Sequence, residues 1–575
     1  MRKLVAVLLF CFASAANAQV SSSYFGMGIN KDTTPWPKFP FGTGRIWDAT
    51  DGGSGRAHWK GTETSRGVYS WSIIDSYVSQ FQAAGNANII YTFGYVPAWA
   101  NGSAGDAAPP TLPQDFYDFV TAIATRYTGR ITAYEVWNEP SSSTFWTGSV
   151  ATQVAYAQNV QTIVHGIDPT AKVLCPANDG PAGLVWINTF LSLGGGAYCD
   201  VYAFHAYPWQ SPPEPPEGLA NIIAQYGYAA QANSVILPWW ITEFDSNATG
   251  SAGNPVSLAV YYIIANSLGV SSLDWYQYDN TTYGYLQGSN QGLNAAGAAY
   301  RVMYSWLYGA TWTSAPARQT KTNGVRNPTL TGAVAGTPGT PPTNMIVNNG
   351  DATLLTTIVG TGTVSGVNYL DWRVHGTPTG TDAVSFRFES PTQIAASLGQ
   401  FWTAGLNVSL VGGSLANTTV DIAFLETNTG GSGLKEDAIQ TFVPNALSVA
   451  TQAYWTYAIA TSNASIVHVY PLLEVNYTAG QAVDVTLRIA LPFMDNGTQW
   501  LGTLTRNNGA SSVITWDVAN QANGAINYTT TNACGGSTCG YWRDISNSIH
   551  SVSGTTVLLS NSPIILDTAA QAVRF

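Results

Sequence analysis

Between residues 24 and 310 the chain alternates, eight times over, between a short apolar or β-branched run and a longer stretch with helical spacing. The strand-like runs are 24–30, 44–48, 88–94, 131–138, 172–176, 200–205, 239–244 and 272–277. Between them, stretches such as 73–84, 113–127, 152–165, 219–230 and 258–268 repeat apolar residues at the intervals of one helix face. Strand alternating with helix over nearly three hundred residues predicts a (β/α)₈ barrel. A doubly wound open sheet is the alternative, but no Gly-x-Gly-x-x-Gly follows the first strand. In a barrel, the side chains that do chemistry sit at the C-terminal ends of the strands.

Two such ends carry acids. The fourth run closes as Tyr134-Glu135-Val136-Trp137-Asn138-Glu139-Pro140, and the proline forbids its continuation as an inner strand. The seventh closes as Trp239-Trp240-Ile241-Thr242-Glu243-Phe244-Asp245. A carboxyl beside an indole and an amide suits sugar chemistry: the ring stacks, the amide binds a hydroxyl, and the acid protonates a leaving oxygen. Glycosidic cleavage normally needs a second carboxylate across the scissile bond.

Composition narrows the partners. Charged residues are 10% of the chain, so Ser, Thr, Asn and Gly must cover much of the surface. The net charge of -11 argues against nucleic acid, whose affinity rests on Lys and Arg. Met1-Arg2-Lys3, an apolar run from Leu4 to Ala13 and Ala16-Asn17-Ala18 predict a signal peptide over 1–18. The mature protein is then secreted or periplasmic, with no membrane span. Four cysteines follow that segment, an even number in an oxidising compartment. Cys534 and Cys539 are expected to close a small loop, and Cys175 to pair with Cys199. Nothing points to a cofactor or metal: the histidines lack the spacing of a zinc site, and no Asp-rich loop announces calcium.

The catalytic barrel is placed at 19–310. From 311 onward the texture is all-β, rich in Thr, Ser, Asn, Gly and Val. Residues 344–494 read as an inserted, jelly-roll-like β-sandwich and a candidate carbohydrate-binding block. Trp372, Trp402, Tyr454 and Trp455 there are expected mainly to pack its core. The short strands of 500–575 are too few for a domain, so they are expected to pair with 311–335 as an accessory β-domain.

The ordered set Arg45-Ile46-Trp47-Asp48, Gly67-Val68-Tyr69-Ser70-Trp71, Tyr91 to Trp99, Trp137 to Pro140, His205-Ala206-Tyr207-Pro208, Thr242-Glu243-Phe244 and Asp274-Trp275-Tyr276 resembles retaining glycoside hydrolases of clan A, most of all family 39. The resemblance implies Glu139 as acid/base and Glu243 as nucleophile. Arg45 is then expected to keep Glu243 ionised, with His205 or Tyr207 holding it. Trp137 and the charge of Glu243 are expected to raise the pKa of Glu139. Asn138 would bind the hydroxyl next to the anomeric carbon, Trp275 would floor the sugar, and Trp99 and Trp146 would line further subsites. The expected partner is a polysaccharide or oligosaccharide. Two alternatives stay open: a glycan-binding, adhesin-like protein without activity, and a transglycosylase using the same acids.

Overall fold

A computed structural model describes residues 18–207, 216–245, 253–279, 284–288, 292–319, 322–364, 366–442, 444, 453–455, 459–507, 509–518, 527–529, 539–552 and 556–567. The leader expected at 1–18 lies almost wholly outside this set, and so does Cys534.

Eight parallel strands form the first sheet: β1 (Phe25–Gly28), β2 (Thr43–Ile46), β3 (Asn88–Thr92), β4 (Ala133–Glu135), β5 (Lys172–Leu174), β6 (Tyr202–His205), β7 (Trp239–Phe244) and β8 (Val270–Trp275). Their order is β5-β4-β3-β2-β1-β8-β7-β6, and a single bridge, Leu174 to Val201, closes the ring between β5 and β6. The Cys175–Cys199 disulfide lies across this seam. Side chains alternate across each strand. The inward ones, including Ile90, Ala133, Leu174, Ala203 and Trp240, fill the interior.

Among the described residues, seven helices of twelve residues or more surround the ring: α1 (Ser72–Ala83), α2 (Pro113–Arg126), α3 (Val150–Ile167), α4 (Gly180–Ser192), α5 (Leu219–Ala232), α6 (Pro255–Ser267) and α7 (Ala295–Leu307). The connection from β1 to β2 is a loop without a helix. Local chemistry starts several helices where they start. Pro113 and Pro255 stand in the first turn of α2 and α6, where a missing N–H costs nothing. Ser149, Asn254 and Asn294 accept backbone N–H bonds as N-caps of α3, α6 and α7.

After α7 the chain enters a six-stranded sheet ordered 311–318, 499–505, 511–517, 564–567, 541–543 and 549–551. The strand that leaves the barrel thus pairs with a strand nearly two hundred residues later. Trp312, Trp500 and Trp516 of this sheet join the hydrophobic core of the barrel. The intervening residues form two packed sheets with a separate core, in which Trp372 and Trp402 are buried. The side chains of Tyr454 and Trp455 lie outside the described set.

Candidate active site

Arg45 extends from β2 into the ring and is 3% exposed. Its Nε and Nη2 donate to Glu135 Oε2 at 3.0 and 2.5 Å, and Nη2 also donates to Asn138 Oδ1 at 2.9 Å. Nη1 donates to Glu243 Oε1. The hydroxyls of Thr92 and Thr242 donate to Glu135 at 2.7 Å each. A buried guanidinium is tolerated only when paired and fully hydrogen-bonded. Glu135 supplies that pairing, so Arg45 can present its remaining edge to Glu243. Glu135 was not among the sequence candidates. Its signal was an acid at an inward position of the fourth strand, two residues after Ala133.

Glu139 follows the last residue of β4 by four. Its φ is +41°, a left-handed value in a non-glycine residue, directly before Pro140. Such conformations persist where surrounding contacts over-determine them, and they cluster at functional sites. Here the backbone N–H of Glu139 donates to Ala177 O at 2.8 Å, which ties the turn to the chain beyond β5. The Glu139 side chain remains 19% exposed, while that of Glu243 is 8% exposed.

His205 at the end of β6 lies between the two acids. Its Nδ1 is 2.7 Å from Glu139 Oε1 and 3.6 Å from Glu243 Oε2. Tyr207 Oη donates to Glu243 Oε2 at 2.9 Å. One oxygen from each glutamate and one His205 nitrogen lie within 4.8 Å of one another. A metal ion would use those same atoms. The Arg45 guanidinium on Glu243 disfavours a dication there, so the donor set suits proton chemistry better. Among the described residues, Asn138 Nδ2 and His205 Nε2 are buried without a hydrogen-bond partner. The first is a donor ready for a hydroxyl. The second means that any proton His205 exchanges with the acids is exchanged at Nδ1.

The electrostatics differ from the sequence expectation. Burial pushes Glu139 up, but the hydrogen bond and charge of His205, with Arg45, outweigh it and hold this carboxyl below the ordinary range. Burial drives Glu243 above that range, and the charge of Glu139 adds to it, against His205 and Arg45. Burial lowers His205, but the two facing carboxylates overcome this and raise it. Burial acts on Glu139 in the expected direction but is outweighed, and the Trp137 indole packs away from solvent. It is fully buried, edge-on to Phe116 and Trp146, and its N–H donates to Phe145 O.

The structure thus brings Glu139, Glu243, Arg45, Asn138, His205 and Tyr207 together. Two aromatic expectations, Trp275 and Trp146, meet a different geometry. Trp275 has no exposed surface; it packs edge-on to Phe244 and donates to Gly284 O, so it offers no face to a sugar. Its neighbour Tyr276 instead reaches the site side, donating its hydroxyl to Asp48. Trp146 is 3% exposed and packs among Trp137 and Tyr156. Trp99 is half-buried, with its N–H on Glu63 O at 3.0 Å. Trp47 and Tyr95 stack on each other at 5.3 Å, and Tyr95 feels the charges of Asp48, Asp106, Glu139 and Glu243. Cys175 pairs with Cys199. Cys539 is buried, and its expected partner Cys534 lies outside the described residues.

Two carboxyls facing each other at strand ends four and seven of a parallel barrel are an arrangement that could serve glycosidic cleavage. Residues 69–300 match a family model described as a glycosyl hydrolase catalytic core. The barrel is such a core, and the chain is a glycoside hydrolase. No curated protein matches the chain. Among solved structures it is similar to a glucosidase from Croceicoccus marinus, at 13% identity over 81% of this chain and 98% of that one, TM-score 0.40. It is also similar to a family 39 glycoside hydrolase from Bacteroides cellulosilyticus WH2, at 15% identity over 82% of each chain, TM-score 0.40. A family 30 endoxylanase from Clostridium papyrosolvens C71 shares 13% identity over 80% of this chain and 98% of that one, TM-score 0.36.

Proposed function

We propose that this chain is an exported, retaining β-glycoside hydrolase that cleaves a polysaccharide by double displacement. Glu139 is the acid/base and Glu243 the nucleophile. The observation that carries this reading is the close approach of the two carboxyls, whose nearest oxygens lie within 4.8 Å. Retention needs carboxyl groups about 5–5.5 Å apart, whereas inversion needs room for water and a spacing of about 6.5–9.5 Å.

In the first step a Glu243 oxygen attacks the anomeric carbon as Glu139 gives its proton to the departing glycosidic oxygen. Arg45 and Tyr207 grip Glu243 from two sides and fix its line of attack. Asn138 Nδ2 donates to the adjacent sugar hydroxyl, a contact that strengthens as charge develops. In the second step Glu139, now ionised, takes a proton from water, which attacks the same carbon and releases Glu243. His205 and Arg45 hold Glu139 low, so Glu139 must gain a proton before the first bond breaks. His205 Nδ1, in contact with Glu139 and near Glu243, is the relay. Export is supported by the basic and apolar N-terminal sequence and by the Cys175–Cys199 bridge. No described helix is long and apolar enough to cross a membrane.

Glu139→Gln and Glu243→Gln are each expected to abolish nearly all turnover of a panel of aryl glycosides and polysaccharides, with unchanged circular dichroism. Wild-type rates from either folded variant would refute the assignment.

A further inference from the structure

A groove of about 700 Å³ opens between the loops that follow β2 and β3. Trp99, Arg56 and Lys60 line it. Tyr95 links one of the groove's lining residues, Lys60, to Trp47 on the loop after β2. The Lys60 ammonium sits 4.4 Å from the Tyr95 ring centroid, and the same ring stacks on Trp47 and feels both catalytic glutamates.

Trp99 is held as a platform before any ligand arrives. Its N–H is bound to Glu63 O, Trp59 packs against it edge-on at 6.3 Å, and the Arg66 guanidinium lies 5.5 Å from its ring centroid. A partly exposed indole fixed in this way can stack on the C–H face of a sugar at little entropic cost.

The charge around this platform is unusual for the chain. Only 22 lysines and arginines occur in 575 residues, and the net charge is -11. Three of those cations, Arg56, Lys60 and Arg66, fall within eleven consecutive positions. Lys60 is paired with Asp106 and Arg66 with Asp115, and both cations are exposed. Arg56 differs. Its guanidinium donates to the carbonyls of Gly53 and Gly55 at 2.9 and 2.8 Å, and no carboxylate pairs with it among the described residues. Asp51 of the same loop spends its carboxylate on the N–H groups of Gly53 and Gly55, at 2.8 and 3.1 Å, so, among the described residues, the loop holds the Arg56 guanidinium at the groove edge outside any ion pair. A guanidinium fork matches a carboxylate in geometry as well as charge.

We propose that this groove is a subsite for an acidic sugar: a uronate-type ring stacks on Trp99 while its carboxylate meets Arg56, with Lys60 beside it. The substrate is then an anionic polysaccharide. This rests on the glycoside hydrolase reading above but names a site that the catalytic acids do not define. An overall negative protein repels polyanions at long range, so any preference for them must arise from a local feature such as this one.

The test measures binding rather than turnover, so its failure is distinguishable from failure of the catalytic assignment. The full chain carrying Glu243→Gln is titrated calorimetrically at low salt with glucuronoxylan, polygalacturonate and alginate, each beside its carboxyl-reduced neutral counterpart. At least one acidic polymer is expected to bind fivefold or more tightly than its reduced form. Arg56→Gln together with Lys60→Gln should remove that preference, while Trp99→Ala should weaken both forms. No preference for any acidic polymer, or a preference that survives the Arg56/Lys60 change, would overturn the proposal.

Discussion

His205 lies between the two acids, with its Nδ1 2.7 Å from Glu139 and 3.6 Å from Glu243, which is the geometry of the proposed relay. Facing carboxylates raise its pKa, so it keeps a proton at pH values where an ordinary histidine has lost it. The three groups titrate as a unit, and the basic limb of the pH profile of kcat/KM belongs to the unit. That limb is expected above the ordinary histidine value. His205→Asn leaves the proton on carboxyls alone, so the limb should move to lower pH and turnover should fall. A profile unchanged in His205→Asn would exclude the relay. At this scale the sequence was informative where a polar residue ends an apolar run, as at Glu139 and Glu243. It was misread where inward and outward positions decide the matter. Asp274 points inward and accepts from Ser272, so Trp275 must point outward into the packing beneath the helices. The same alternation aims Glu135 inward at Arg45. Its role depends on four donors from three other strands and was not visible in any local window.

At the scale of elements, the weak point of the barrel is its seam. β5 and β6 meet through one bridge, whereas the other neighbours share ladders of three or more residue pairs. The Cys175–Cys199 bond spans that seam and closes a loop with a sequence separation of 24. Removing it through Cys175→Ser with Cys199→Ser is expected to destabilise the protein by about 3 kcal/mol, from the loop-closure entropy returned to the unfolded chain. Urea denaturation of the double variant checks this, and a loss below about 1 kcal/mol would mean that packing alone closes the ring. The strands of the barrel were legible because each is a short apolar run bounded by turn residues. α4 was not. It opens with Gly180-Pro181-Ala182-Gly183, which reads as a loop, although a proline in the first turn is compatible with a helix start.

At the scale of the whole molecule, the accessory sheet is bound to the barrel through a buried acid. The Trp516 N–H donates to Glu217 Oε1 at 2.6 Å, and burial pushes the Glu217 carboxyl up to about 7. An acid with a raised folded pKa is protonated in the native state and ionised in the unfolded chain at intermediate pH. Its contribution to stability is therefore greatest below the ordinary glutamate range, falls as pH rises to about 7, and is level above that. The penalty at pH 8 is about 3 kcal/mol by linkage. Glu217→Gln keeps an acceptor for Trp516 and removes the proton. Its stability, measured in urea at pH 5 and pH 8, should decline less with pH than that of the wild type. A parallel decline in both proteins would show that Glu217 ionises without cost. The all-β character of the region after 311 could be read from composition and alternation. The pairing of 311–318 with 499–505 across an inserted sandwich is a long-range contact for which period-two patterning alone carries no address.

The central claim is that Glu139 and Glu243 act on one sugar from opposite sides, by way of a covalent intermediate. The most direct measurement follows the anomeric signal of the first-formed product by proton NMR during early hydrolysis of a β-glycoside that the enzyme accepts. The β-anomer should appear first and mutarotate afterwards. First appearance of the α-anomer would contradict the double displacement and the roles given to both glutamates.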